Sequence, residues 1–345
     1  MRAAELYAPR KFRITGFDCG DPAPGEVQVE VASVGICGSD LHYFSEGSIG
    51  DTACVYPMVL GHEPSGTVLK TGPGVTGWAR GDRAALEPAL YCYHCEYCMT
   101  GRHNVCASIR FLSMPGDPGF LRERVNLPAR NLLPLPASLS LDAGTLFEPL
   151  AVALHSMKFA GLAPGEKAVV FGAGPIGLLT IAVLRLAGAG RIWAVEPVAA
   201  RRALALHLGA DAAIDPAAAD PVYEVLAATG QRGVDVAIDC TARGASLDHA
   251  IGAARNAGRV VITGIAAEPR VAIDFHTARR KELALFNVRR SNHESETALE
   301  LLRDHPARFL PMLTHTFPLD NVQRAFTLLE RYDDGVGKVV VRVGE

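Results

Sequence analysis

The sequence predicts an α/β chain of two domains, one a doubly wound parallel sheet and the other rich in short β segments. Three observations predict it. The chain has 345 residues, more than a single core usually spans. From Lys167 onward strand-like and helix-like stretches alternate, as crossover helices between parallel strands require. Before Lys167 the chain reads as short β segments broken by turns.

The parallel sheet is justified strand by strand. Its expected strands are Ala168–Phe171, Ile192–Val195, Ala212–Ile214, Val234–Asp239, Arg259–Thr263 and Leu283–Val288, with helices such as Ala199–Leu208 and Ser246–Asn256 between them. The first strand runs into Gly172-Ala173-Gly174-Pro175-Ile176-Gly177 and a helix to about Ala187, and the second ends at Glu196, 19 positions after the last glycine. Strand, glycine turn, helix, strand and acid together form a dinucleotide fingerprint. Gly172 permits the tight turn, Gly174 lets backbone approach a pyrophosphate, and Gly177 lets helix pack on strand. The helix N-terminus then offers N–H groups to the phosphates. Glu196 can accept both ribose hydroxyls, which disfavours a 2′-phosphate and selects NAD over NADP. Arg201, five residues on, is a further candidate cofactor contact.

The β-rich part begins with Phe12–Thr15 and the alternating Glu26–Val34. Next come Gly35-Ile36-Cys37-Gly38-Ser39-Asp40-Leu41-His42-Tyr43 and, twenty residues further, Leu60-Gly61-His62-Glu63-Pro64. Thiolate, imidazole and carboxylate suit a zinc with an open coordination position; a buried free cysteine and a structural histidine fit the same two peptides. Cys92, Cys95, Cys98 and Cys106 are more specific. Their C-x2-C-x2-C-x7-C spacing matches a closed tetrahedral zinc site, whose metal would supply the folding energy of a loop with little apolar content. Glu148 opens the apolar helix Phe147–His155, where a carboxylate complements the helix dipole or serves a metal. After Val288 come a helix (Ser295–Arg303), a strand (Thr314–Phe317), a helix (Leu319–Leu329) and a last strand (Lys338–Val343). This tail is expected to return to the β-rich domain, which gives a catalytic domain of 1–150 and 289–345, a cofactor domain of 151–288, and a catalytic site in the cleft between them.

Composition excludes other classes. Charged residues are 21% and the formal net charge is −3, which gives nucleic acid or an anionic membrane no purchase. No apolar run reaches membrane-spanning length, and MRAAELYAPRKFRIT has no signal-peptide core, so a cytoplasmic protein is expected. Eight cysteines in that compartment read as thiols and metal ligands rather than disulfides.

With these residues assembled, the chain resembles the zinc-dependent medium-chain alcohol dehydrogenases, and among them the polyol dehydrogenase branch. The resemblance spans essentially the whole chain and rests on GICGSDLHYF (35–44), PMVLGHEPSGTV (57–68), GDRAALEP (81–88), the four-cysteine lobe (92–106), FEPLAVALH (147–155) and GAGPIG (172–177). It implies a GroES-like β-rich catalytic domain, a Rossmann domain and hydride transfer from a secondary alcohol to NAD. By position, Cys37, His62 and Glu63 would bind a catalytic zinc, with Glu148 as a further ligand or the holder of a zinc-bound water. Asp40 would orient His62, and Ser39 and His42 would carry the substrate proton outward. Tyr43, Phe111 and Arg289 match substrate-pocket positions.

Two departures stand out. Polyol enzymes carry an aromatic residue after the arginine matching Arg289, whereas this chain has Arg290. A paired arginine fits an acidic sugar or phosphorylated polyol, and equally an ion pair at a subunit or domain contact. The animal polyol enzymes lack the cysteine lobe, which sets the chain nearer bacterial and fungal members and makes a homotetramer the expected assembly. Three readings follow: a sorbitol- or xylitol-like polyol dehydrogenase, an L-idonate- or L-threonine-type dehydrogenase on the same fold, and a non-catalytic protein that binds NAD and zinc.

Overall fold

The computed structural model describes residues 1–344. The chain forms two compact units: one of Met1–Glu148, Ser295–Pro306 and the chain from Leu313 on, the other of Pro149–Glu294 and Ala307–Met312. The short stretch Ala307–Met312, expected in the catalytic domain, belongs to the second unit. Its 3-10 turn packs beside the helix Ala199–Leu208, and Phe309 and Met312 are fully buried.

The first unit is built mainly on antiparallel strands, with a parallel pair, Leu313–Pro318 beside Lys338–Arg342. β1 (Arg2–Ala8) pairs with β2 (Lys11–Gly16). β3 (Glu26–Gly35) is followed by the helix α1 (Gly38–Ser45), then β4 (Glu63–Thr71), β5 (Arg83–Leu86), β6 (Arg124–Pro128) and β7 (Leu132–Pro134). The helix α2 (Phe147–Ala160) leads into the second unit. The larger sheet of the first unit has β3 at its centre, paired with β4, with β6 and with the last strand of the chain (Lys338–Arg342). The tail therefore closes the first unit. The helix Val322–Arg331 buries Val322, Ala325, Phe326 and Leu329, the i, i+3, i+4, i+7 stripe of an amphipathic helix. Phe326 meets Phe12 and Phe44 at ring-centroid distances of 4.8 and 5.1 Å, which anchors α1 from below.

The second unit is a six-stranded sheet, parallel throughout. Its strands in chain order are β8 (Lys167–Phe171), β9 (Arg191–Val195), β10 (Ala212–Ile214), β11 (Val234–Asp239), β12 (Ala254–Ile262) and β13 (Ala284–Asn287), arranged 10-9-8-11-12-13. The order reverses at β8, so the carboxyl end of β8, where GAGPIG begins, is the topological switch point at which such sheets bind ligands. All six expected strands form. The helix expected over Ser246–Asn256 ends at Ala253, immediately before β12, and Pro221–Ala228 and Phe275–Arg280 are helical as well.

Gly172 has φ +86°, the left-handed conformation that the turn needs. A Cβ on Gly177 would lie 1.8 Å from the Gly172 carbonyl oxygen, so the helix Pro175–Leu186 can sit this close to β8 only with glycine there. Gly177→Ala should force the helix off the strand. The expected cost is roughly 1–3 kcal/mol or more in stability, with at least a tenfold rise in the NAD dissociation constant; an unchanged melting temperature and Kd would contradict this packing.

At the start of β11, Asp235 accepts hydrogen bonds from Lys167 N–H (2.9 Å), Arg232 (2.7 Å) and Arg255 (2.7 Å). Burial opposes its charge, but these donors outweigh burial and hold its pKa below the usual carboxylate value. The stabilisation is therefore complete above about pH 4 and fades as pH falls toward the folded-state pKa. Asp235→Asn should destabilise the protein by on the order of 1–3 kcal/mol at pH 7. In urea melts that gap should narrow as pH falls through 4; a gap independent of pH would refute the assignment.

Candidate zinc and dinucleotide sites

The first cluster is made where β3 ends and α1 begins. Cys37 is the N-cap of α1, and Asp40, three residues on, accepts the Cys37 N–H at 3.1 Å. Asp40 also accepts Gly61 N–H (3.2 Å) and the Ser113 hydroxyl (2.9 Å), and faces His62 Nδ1 at 3.3 Å. One buried carboxylate thus joins the Cys37 peptide to the His62 peptide and fixes the imidazole through Nδ1. Burial raises the Asp40 pKa, but His62 and the N–H groups of Cys37 and Gly61 outweigh it, so the group stays ionised. Burial likewise opposes a positive His62, and Asp40 and Cys37 overcome it, holding the imidazole well above its ordinary pKa. Phe111 lies against the His62 ring, centroid to centroid 5.4 Å.

Ligand atoms of Cys37, His62 and Glu63 lie within 4.8 Å of one another. The donor set fits zinc, and the surroundings are shaped for it. Glu63 is wholly buried and its Oε1 has no hydrogen-bond partner. A Cβ on Gly35, its partner residue across the β3–β4 pair, would lie 2.2 Å from Glu63 Oε2. Glu148 stands outside this three-ligand group. It is buried, and burial pushes its carboxyl up to about 8, with His62 pulling down and Glu63 pushing further up.

The other expected residues of this unit are close by in chain and space. Ser39 Oγ is 3.4 Å from His62 Nε2. His42 is buried and meets the exposed Glu46 through Nδ1 at 2.9 Å. Tyr43 is fully buried, its hydroxyl donating to Met114 Sδ at 3.4 Å.

Lys338 is the residue that sequence reasoning missed. It sits on the last strand, is completely buried, and donates to the Ile36 carbonyl at 2.8 Å. Its ammonium forms an ion pair with Glu63 Oε2, although the contact lacks hydrogen-bond alignment. Burial lowers its pKa, and Glu63 and Cys37 more than restore it. A lysine opening an apolar strand at the chain's far end carries no local signal of this role.

The second cluster is the cysteine lobe. The sulfurs of Cys92, Cys95, Cys98 and Cys106 lie together, with Cys92–Cys98 and Cys95–Cys106 at 3.9 Å and Cys92–Cys106 at 3.4 Å. Four sulfurs around one zinc at about 2.3 Å sit about 3.8 Å apart, so the cradle fits the ion. All four are free thiols. Backbone N–H groups of Cys92, Cys95 and Cys98 point at the sulfurs, and those of Cys98 and Ala107 bring Cys95 down to about 6. Arg130 lies over the Tyr93 ring at 4.2 Å and ties the lobe to the segment before β7.

In the second unit Gly174 caps the helix Pro175–Leu186, and no side chain caps it in its place. The nearest atom to a Cβ there would be Arg201 Nη1 at 4.0 Å, so the backbone is open to a ligand's phosphates beside a buried arginine. Ile176 follows Pro175 in the first turn. Glu196 is buried, its Oε2 accepting Ala173 N–H at 2.8 Å and its Oε1 accepting Val198 N–H at 3.0 Å. The carboxylate is thus fixed against the glycine turn, and each oxygen keeps a further lone pair for a ribose hydroxyl. Arg289 is exposed on the turn after β13.

Lys338→Met keeps the length and removes the charge, leaving Glu63 buried beside no cation. Breaking a buried pair in this way costs about 3–5 kcal/mol. The loss in melting temperature should be larger in zinc-stripped protein than in zinc-loaded protein, because a zinc held by Glu63 would be a second cation against it. Equal losses in the two forms would disconnect Lys338 from the metal site.

Comparisons with known proteins give the family to which this fold belongs. Residues 23–137 match the family model described as the alcohol dehydrogenase GroES-like domain, and residues 175–304 match the zinc-binding dehydrogenase model. The chain is 35% identical to human sorbitol dehydrogenase over 96% of its own length and 92% of the relative's. It is 30% identical to sorbitol dehydrogenase of Bacillus subtilis (strain 168), over 99% and 97%. Overall identity is thus no higher to this bacterial relative than to the human one. The crystal structure of L-idonate 5-dehydrogenase from Escherichia coli superposes with a TM-score of 0.89 at 25% identity, covering 99% of this chain and 98% of that one. The chain belongs to the zinc-dependent medium-chain alcohol dehydrogenases, in the polyol branch, and is an oxidoreductase whose cofactors are zinc and NAD.

Proposed function

We propose that the chain oxidises a secondary hydroxyl of a sorbitol- or xylitol-like polyol with NAD, giving a ketose. The observation that carries this reading is the Cys37–His62–Glu63 group, held by Asp40 and Lys338, in a chain so similar to sorbitol dehydrogenases. Zinc in that group supplies the Lewis acidity that makes the substrate hydroxyl easier to deprotonate, and NAD supplies the hydride acceptor.

The chain's own residues do the rest. Cys37, His62 and Glu63 hold the metal, and Glu148, kept protonated near neutral pH by burial until a cation is near, orients a water or enters the ligand set. Ser39, next to His62, and His42, whose imidazole meets the exposed Glu46, carry the released proton toward solvent. Cys92, Cys95, Cys98 and Cys106 hold a structural zinc. Gly172, Gly174 and Gly177 shape the pyrophosphate turn with Pro175 and Ile176; Arg201 faces the phosphates, and Glu196 takes the ribose hydroxyls and repels a 2′-phosphate. Tyr43, Phe111 and Arg289 serve the substrate: Tyr43 and Phe111 as buried wall, Arg289 as its polar contact. We place the enzyme in the cytoplasm as a homotetramer, where zinc-held thiolates stay reduced.

A second reading has its own observation. Arg289 and Arg290 are adjacent, where polyol enzymes have one arginine, and a chain of the same fold is an L-idonate dehydrogenase. Two guanidinium groups would suit a sugar acid.

Steady-state rates on D-sorbitol, xylitol, L-idonate and L-threonine with NAD and NADP decide between them. The highest kcat/KM is expected on a polyol with NAD, and Cys37→Ala should lower it by about 10³-fold or more while the fold persists. A preference for L-idonate moves the assignment to the second reading. Full activity in a Cys37→Ala protein without its catalytic zinc would end both.

A further inference from the structure

We propose that Glu294 is a positioning residue, clamped by His155 and Lys158 so that the turn 288–293 presents Arg289 to the substrate. The inference rests on the reading that Arg289 meets substrate and adds what holds it there.

The geometry is local to the second unit. The turn leaves β13 with Val288 N–H donating to the Ile262 carbonyl at 2.9 Å. It ends at Glu294, which is buried, whereas Arg289 is exposed. Glu294 Oε1 meets His155 Nδ1 at 3.0 Å and the Lys158 ammonium, while Oε2 accepts the Asn292 N–H. His155 and Lys158 are three residues apart on α2, so they reach Glu294 from one face of that helix. Lys158 also lies 3.5 Å from the Asn292 carbonyl. The same face carries Phe159, which meets the His155 ring edge-on at 5.2 Å and the ring of Phe286 in β13 at 5.8 Å. Both ends of the turn are thus fixed, one on the sheet and one on α2.

The turn needs this hold. Arg290 (φ 54°) and His293 (φ 69°) both take the left-handed conformation without being glycine. Such residues persist where their surroundings over-determine them. Burial opposes the charge of Glu294, and His155, Lys158 and the Asn292 N–H outweigh it, holding the carboxyl below its usual pKa. A buried carboxylate is a costly way to achieve cohesion alone, since an apolar side chain of similar size serves as well. What three directional bonds add is orientation of the backbone that bears Arg289.

The test is steady-state kinetics of the zinc-loaded enzyme on D-sorbitol at saturating NAD. Glu294→Gln, which keeps the shape and loses the charge, should raise the sorbitol KM about tenfold, with kcat within threefold and the KM for NAD unchanged. Lys158→Met, removing one donor, should raise it by a smaller factor; this variant carries the test if Glu294→Gln does not fold. Arg289→Ala should raise the KM at least as much. Adding Glu294→Gln to Arg289→Ala should then change nothing further, because the clamp acts through that arginine. If Arg289→Ala raises KM and neither clamp variant does, the inference is wrong and the reading of Arg289 survives. Multiplicative effects in the double variant also overturn it. An unchanged KM in Arg289→Ala removes the reading of Arg289 itself.

Discussion

The zinc cradle depends on burying charge where three strands meet. Glu63 on β4 and Lys338 on the last strand flank Gly35 at the end of β3, and neither side chain is exposed. Isolated, either charge would be expelled from such a place. Together they can stay, because Gly35 leaves the space and Ile36 offers its carbonyl to the ammonium. One carboxylate oxygen of Glu63 is thereby engaged by lysine while the other has no partner. The amino-terminal strands cannot build this arrangement alone. The carboxy-terminal strand must return to β3, and the Phe12–Phe44–Phe326 cluster steadies the helix that Cys37 caps.

Asp40 performs a complementary task at Cys37 and His62. It closes the capping arrangement of α1 and reaches the Gly61 and Ser113 segments with the same carboxylate. With His62 Nδ1 turned to Asp40, Nε2 is the nitrogen left for a metal. The dinucleotide unit uses backbone rather than charge. Its glycines let helix and strand touch, and Glu196 is locked by the Ala173 N–H of the turn that it serves and by the Val198 N–H two residues on.

Those features whose partners are near in sequence were legible there. The C-x2-C-x2-C-x7-C run closes on itself, and its four sulfurs do meet. GAGPIG and the alternating strands yielded the parallel sheet, because strand, turn and helix are consecutive. The helix at Gly38–Ser45 was hidden by its polar sequence, and the role of Asp40 was visible only through the family resemblance. β1 was missed, since the core that buries its Ala3, Ala4 and Leu6 is built with residues far along the chain. Lys338 and Glu294 were illegible for one reason: each is an ordinary charged residue until a distant element, β4 for one and α2 for the other, is folded against it. Glu148, which the resemblance makes a further ligand or the holder of a water, lies outside the group formed by the other three.

The cysteine lobe and the Cys37–His62–Glu63 group together imply a stoichiometry of two zinc ions per chain, held at sites of different character. Elemental analysis of the purified protein tests it most directly, alongside Cys37→Ser and Cys95→Ser. Two zinc ions per chain are expected in the unaltered protein, with one lost in each variant. A single zinc that survives Cys37→Ser would leave the Cys37–His62–Glu63 group without a metal and contradict the account.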